Sequence, residues 1–196
     1  MFKKSREKID CVDAQGRPRE LADGFALSFW NVGLPQLDQL WELVGYSGNG
    51  AMYSDASLAR VGLEPGEGPE GFTIEFDLYY NSCPNNGFFD PTPEPHVEIW
   101  QNGAYARGGC DFIDFSDEEG LTWSAFSGLR DNYWHDVNVR IVAQQVTVTI
   151  DGTVVLDTML PEFRFKGGIL AFSGGSGAVG AYQRFDDLVI NSSCNQ

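Results

Sequence analysis

The stretch Phe72–Ile99, FTIEFDLYYNSCPNNGFFDPTPEPHVEI, decides how the rest of the chain reads. Phe72, Ile74, Phe76 and Leu78 alternate with Thr73, Glu75, Asp77 and Tyr79. That period of two predicts a β-strand with Glu75, Asp77 and Tyr79 on one face. Carboxylates sharing a face repel unless a positive charge stands between them, so the pattern suggests a cation. Taken singly, Glu75 or Asp77 reads as an ordinary solvated strand carboxylate. The loop that follows offers Asn81, Asn85, Asn86 and Asp90, with the carboxylate, amide and carbonyl oxygens that Ca2+ takes. His96 then opens a second apolar strand, His-Val-Glu-Ile-Trp. Imidazole is a poor ligand for Ca2+ and a good one for Mn2+ or Zn2+, so the donors together suggest two neighbouring ions of different character.

Outward from this stretch the chain has the bulk properties of one well-cored domain: 196 residues, 42% of them hydrophobic. A formal net charge of −15 argues against nucleic acid and anionic membrane surfaces as partners. There is no apolar run of about 18 residues that would cross a membrane as a helix, and the opening MFKKSREKID lacks the apolar core of a signal peptide. Cys11, Cys83, Cys110 and Cys194 are far apart and show no CxxC spacing, which argues against a zinc knuckle and for two disulfides. Three pairings are open. The favoured one joins Cys11 to Cys194 across the chain ends and Cys83 to Cys110 beside the loop, and implies an oxidising, secreted setting.

Upstream, residues 1–20 are polar and weakly specified, and Leu21–Trp30 reads as an apolar strand entered through the turn signal Asp23-Gly24. A glycine-rich turn at residues 45–52 contains Gly48 and Gly50 and reads as a hairpin or as a binding loop, since a glycine lets backbone N–H groups approach a ligand. Residues 62–71, GLEPGEGPEG, read as a solvent-facing loop. Downstream, Asn102-Gly103 carries the signature of a tight hairpin. Asp111, Asp114, Asp117, Glu118 and Glu119 read as a solvated acidic loop. Trp134–Ile141 and Gln145–Ile150 alternate cleanly, and Asp151-Gly152 turns the second into a third strand from Val154, each with one wet face. His135 reads as an edge or packing residue, and with His96 the only other histidine, a three-His zinc centre is excluded. Leu160-Pro161-Glu162-Phe163 leads into a strand from Gly168, and Tyr182–Ile190 is expected to close the fold as a last strand. No segment sustains helical periodicity, so the expected fold is all-β: two packed antiparallel sheets forming a jelly roll, in a single domain over residues 1–196.

The order Glu75-x-Asp77-x-Tyr79-x-Asn81, then Asp90-Pro91, then His96 and a hydrophobic strand resembles the metal loop of the L-type, legume-lectin-like domains of the concanavalin A-like lectin/glucanase superfamily. In that family a transition-metal ion such as Mn2+ and a Ca2+ ion share two aspartates, which the resemblance places at Asp77 and Asp90. Glu75 and His96 would complete the transition-metal site. The Tyr79 carbonyl and the Asn81 side chain would complete the Ca2+ site. Ala-Asp23-Gly-Phe-Ala is similar to the segment whose aspartate, following a cis peptide, binds sugar hydroxyls. A non-proline cis bond costs roughly 3 kcal/mol and persists only where its surroundings hold it. Gly48 and Gly50 fall where the family's glycine loop meets the sugar, and the Leu-Pro-Glu-Phe segment with its Ser/Gly loop resembles the family's C-terminal part. The likeness covers residues 21–191. It departs at the front, where residues 1–20 stand in place of several strands, and in a longer loop from Asn81 to Asp90 that carries Cys83.

The resemblance implies Ca2+-dependent binding of glycans, with Asp23, Gly48, Gly50, Tyr79 and Asn81 at the sugar and Glu75, Asp77, Tyr79, Asn81, Asp90 and His96 at the metals. Asn81 would give its oxygen to Ca2+ and its NH2 to the sugar. A Tyr79 or neighbouring ring would pack on the pyranose. Assembly into a homo-oligomer would add avidity. One alternative is a glycoside hydrolase on the same architecture, which needs two carboxylates about 5 to 10 Å apart. The glucanases follow Glu-x-Asp with a second Glu on the same strand face, whereas here Tyr79 or Tyr80 takes that place. The other alternative is an adhesion or scaffold domain with vestigial sites.

Overall fold

A computed structural model describes residues 24–31, 52–53, 71–80, 92–101, 104–105, 123–131, 133–161, 163–164, 167–175 and 184–192. Among them the chain is mostly antiparallel β-sheet, and the one helical piece is a 3-10 turn at Ser127–Arg130. The strands are β1 Gly24–Trp30, β2 Met52–Tyr53, β3 Gly71–Asp77, β4 His96–Gln101, β5 Ala104–Tyr105, β6 Trp123–Ala125, β7 Val137–Val142, β8 Gln145–Ile150, β9 Thr153–Met159 and β10 Ile169–Gly175. A five-stranded sheet runs in the order β10-β1-β3-β4-β6, and a three-stranded sheet in the order β7-β8-β9. Among the described residues no helix is long and apolar enough to cross a membrane.

The alternating apolar residues of β3 and β4 explain how the sheets meet. Phe72, Ile74, Phe76, Val97 and Ile99 point to one face, where they join Val146, Val148 and Ile150 of β8 and Leu156 of β9 in a single buried cluster. Phe25, Leu27 and Phe29 of β1 pack against it. Phe25 stacks on Phe76 and Phe29 on Phe72, with centroids 4.5 and 4.8 Å apart, and Phe163 meets Phe72 edge-on at 4.8 Å. Phe72, Phe76 and Phe163, the buried ones of these rings, each contribute about 1.5–3 kcal/mol through apolar surface removed from water.

Local turn chemistry sets the three-stranded sheet. Asp151 and Gly152 both have left-handed φ, 49° and 81°, as a two-residue hairpin turn requires, and they connect β8 to β9 where the Asp-Gly pair predicts. The pairing shifts register between Val148 and Thr149, and the bulge that results falls at Val155 of β9. Leu160 and Phe163 are buried and joined by a backbone hydrogen bond, which seats both side chains in the core before β10 begins.

Two sequence expectations fail. The strand after Asn102-Gly103 does not fold back on β4: β5 pairs in parallel with β2, and the second neighbour of β4 is β6. The expected last strand is not formed over residues 184–192. Asp187 takes a left-handed φ of 53°, which breaks an extended run at its middle, and Leu188, Val189 and Ile190 are exposed. The four cysteines, and with them the favoured disulfides, lie outside the described residues.

Candidate metal centre

The polar face of the five-stranded sheet is built by the same alternation that builds the core. In the antiparallel register Glu75 of β3 stands directly opposite Glu98 of β4, and Asp77 directly opposite His96. Directly opposed residues share a face, with Cα atoms about 4.5–5.5 Å apart. Ala26 and Gly24 of β1 flank Glu75 and Asp77 on the other side, so that neighbour adds little bulk. Beyond β4, Trp123 and Ala125 of β6 stand opposite Glu98 and His96, and the Trp123 ring meets the imidazole edge-on at 6.4 Å.

Glu75 and Asp77, which taken singly read as solvated strand carboxylates, are both buried. Relative exposures are 0% for Glu75, 1% for Asp77, 1% for His96 and 4% for Glu98, so four ionisable side chains share a buried patch. Ser28 and Thr73 continue the polar row and bond to each other through their hydroxyls at 2.9 Å. Burying such groups is costly unless they are hydrogen-bonded, paired or bound to a cation.

The end of the patch at Asp77 and His96 is tied down by local contacts. Asp77 Oδ1 accepts from the Tyr79 N–H at 2.6 Å, which turns the chain out of β3. The Arg130 guanidinium donates to the Leu78 carbonyl, and the Phe126 N–H donates to the Pro95 carbonyl at 2.7 Å. The 3-10 turn therefore clasps the end of β3 while the residue before it clasps the start of β4.

His96 is oriented by its Nδ1, 3.0 Å from the Glu94 carbonyl. A carbonyl only accepts, so Nδ1 carries the hydrogen and Nε2 faces the patch. There Nε2 is buried, makes no hydrogen bond, and lies 3.7 Å from Glu98 Oε2. Burial by itself lowers the pKa of His96. Glu98 and Asp77, with the Glu94 carbonyl, outweigh that and raise it from 6.5 to about 9, so the metal-free ring is an imidazolium at neutral pH. Glu75 Oε1 and Asp77 Oδ2 are likewise buried and outside any hydrogen bond, although Glu75, Asp77 and Glu98 each interact with further groups.

Of the residues expected at the metals, Glu75, Asp77 and His96 share one face of the paired strands, with Tyr79 half-buried at the strand end. Asn81 and Asp90 lie outside the described residues, as do Asp23, Gly48 and Gly50 of the expected sugar site. Among the described residues no three His, Cys, Asp or Glu side chains are already drawn together as a metal site. The donor types are those that divalent ions take: carboxylates on one face, with buried oxygens outside any hydrogen bond, and an imidazole whose outer nitrogen is held by a carbonyl.

Sequence reasoning does not single out Glu98, two positions after His96 and so on its face, because alternation along β4 does not state its register with β3. His135, expected as an edge or packing residue, meets the Phe126 ring edge-on with centroids 6.5 Å apart and has polar partners as well. The imidazole sits between two carboxylates, Nδ1 2.8 Å from Asp151 Oδ2 and Nε2 2.9 Å from Asp131 Oδ1, and so links the β8–β9 turn to the end of the 3-10 turn.

Fold and site together define a mostly antiparallel β protein with a buried patch of carboxylates and imidazole on its larger sheet. Compared with known protein families, with curated proteins and with solved structures, the chain matches none.

Proposed function

We propose that this chain is a metal-dependent carbohydrate-binding module, a jelly-roll sandwich of the L-type lectin kind. The observation that carries the reading is the side-by-side placement of Glu75 and Asp77 on β3 with His96 on β4, buried on one face. Carboxylates paired with one imidazole in a dry patch are the donor set of a transition-metal ion, and the oxygens of Asp77, the Tyr79 carbonyl, Asn81 and Asp90 suit Ca2+ beside it. When bound, the ions supply the positive charge that lets these carboxylates share a face. The chain's own groups do the rest. Asp23 accepts hydrogen bonds from sugar hydroxyls, Asn81 donates through its NH2, Gly48 and Gly50 admit the sugar to the backbone, and an aromatic ring packs on its C–H face.

The test is a glycan array probed with the chain before and after EDTA treatment. Binding that disappears with EDTA and returns with Ca2+ and Mn2+ supports the reading, and binding indifferent to EDTA removes it.

A second reading is favoured by one observation. Glu98 opposite Glu75 adds a third carboxyl to the polar face beside Glu75 and Asp77, and supplies the second Glu that the glucanase pattern has and β3 lacks. Release of reducing sugar from a polysaccharide by the wild-type chain, abolished in Glu75→Gln, would favour it over the lectin.

A further inference from the structure

We infer that Glu98 is a direct ligand of the transition-metal ion, and that Glu75, Asp77, His96 and Glu98 hold this ion on β3 and β4 without help from Asp90. The inference rests on the metal-dependent reading above and changes which residues build the site.

Register is the first argument. Glu75 faces Glu98 and Asp77 faces His96, so the four side chains rise from the corners of a rectangle on one face of two paired strands. Its sides are about 5 Å across the pair and about 7 Å along each strand. Glutamate and histidine heads can turn inward from such corners; no three of them are drawn together among the described residues as they stand, so binding would have to gather them.

The second argument comes from His96. Its Nδ1 is taken by the Glu94 carbonyl, so Nε2 is the ring nitrogen aimed at the patch, buried and outside any hydrogen bond, and an ion would bind it by displacing its proton. Glu98 Oε2 lies 3.7 Å from Nε2. That is too long for a hydrogen bond. Two neighbouring ligands of one tetrahedral or octahedral ion, each about 2.0–2.2 Å from it, stand about 3 to 3.5 Å apart. The separation of Nε2 and Oε2 is therefore close to a ligand bite before any side chain moves.

The third argument is chemical. One nitrogen and three carboxylates suit Mn2+ or Zn2+ and not Ca2+, which prefers an all-oxygen shell. Strand residues also fix a site more firmly than a residue on a long loop, because their backbones are held by ladder hydrogen bonds on both sides. The rival role for Glu98 is that of a counter-charge to His96, with no contact to an ion.

Calorimetric titration of the EDTA-treated chain with Mn2+, together with anomalous scattering from a Mn2+-soaked crystal, separates these roles, since loss of a counter-charge to His96 would also weaken binding. Wild type should bind, Glu98→Gln should bind at least about tenfold more weakly, and Asp90→Asn should stay within about threefold of wild type. Wild-type binding with Glu98→Gln unchanged, or with Asp90→Asn impaired as strongly as Glu75→Gln, overturns the inference and leaves the metal-dependent reading standing. No Mn2+ or Zn2+ uptake by the wild type overturns both. If Glu98→Gln does not fold, the anomalous scattering from the wild-type crystal decides alone. An ion within about 2.0–2.6 Å of a Glu98 oxygen supports the inference, and an ion bound by Asp90 with Glu98 outside that range overturns it.

Discussion

Glu75 and Glu98 are direct cross-strand partners on a buried face of the central sheet. Like charges opposite one another destabilise a strand pair, by roughly 0.2–1 kcal/mol on the scale of such pairs. Conversion to Glu75→Gln keeps the shape, removes one charge and leaves the His96–Glu98 contact intact. In EDTA the variant should unfold at a free energy about 0.5–1 kcal/mol higher than wild type. Added Mn2+ should raise the melting temperature of wild type and leave that of the variant unmoved. Urea and thermal unfolding with and without Mn2+ check both halves. A variant that is weaker in EDTA yet still responds to Mn2+ would show that Glu75 supports the fold and not an ion.

The raised pKa of His96 makes the metal-free fold sensitive to alkali. The folded chain holds the proton up to about pH 9, whereas the unfolded chain releases it near 6.5. Stability from this group is therefore fully present below pH 6.5 and is lost as pH rises through about 9. The gap between those two values corresponds to at most about 3 kcal/mol. Unfolding free energies measured in EDTA from pH 6 to pH 9.5 should fall across this window. His96→Gln should flatten the profile. A wild-type profile parallel to that of the variant would mean that the ring is not charged in the folded chain.

The apolar half of this fold was legible and the polar half was not, for a physical reason. Alternation along Phe72–Asp77, Val137–Val142 and Gln145–Ile150 marks strands whatever lies on their second face, and Asp151-Gly152 encodes its turn in its own backbone preferences. Whether Glu75 and Asp77 meet water depends on what covers them, and periodicity carries no information about that. Glu98 matters only through a register with β3 that no local pattern states. Asn102-Gly103 permits a hairpin without requiring one, and β5 pairs with β2 instead. Asp187 breaks the expected final strand because Asp, unlike Leu188 or Val189 beside it, enters the left-handed region at little cost.

Gly24 shows how closely β1 approaches the end of the patch. It pairs with Asp77, its φ is +158°, and a Cβ there would stand 2.2 Å from the Phe76 carbonyl oxygen. That contact is with backbone and cannot be relieved by a rotamer. Gly24→Ala should therefore cost about 1–3 kcal/mol and should weaken the Mn2+ response by forcing β1 away from Asp77. Gly152 is the control. A Cβ there meets nothing within 4 Å, and φ is +81°. Gly152→Ala should cost about 1 kcal/mol through backbone preference alone, with the Mn2+ response kept. Equal losses of metal response in the two variants would detach β1 from the site.

Phe72 tests whether the two sheets share one core. It lies on β3, stacks on Phe29 of β1 and meets the edge of Phe163, which precedes β10 after the chain leaves the three-stranded sheet. Phe72→Ala should cost about 3–5 kcal/mol, since it removes a fully buried ring at a crossing of three segments. Phe163→Ala should be of similar size. Because the rings touch, the double variant should fall short of the sum by about 0.5–1.5 kcal/mol, the coupling of an edge-to-face pair. Hydrogen exchange supplies the second readout. Loss of Phe72 should speed exchange at Val146, Val148 and Ile150 of β8 as well as in β3, because those residues belong to the same buried cluster. Strict additivity, with β8 exchange unchanged, would mean that the sheets are stabilised separately. The polar patch on the opposite face of β3 would then be held by the five-stranded sheet alone.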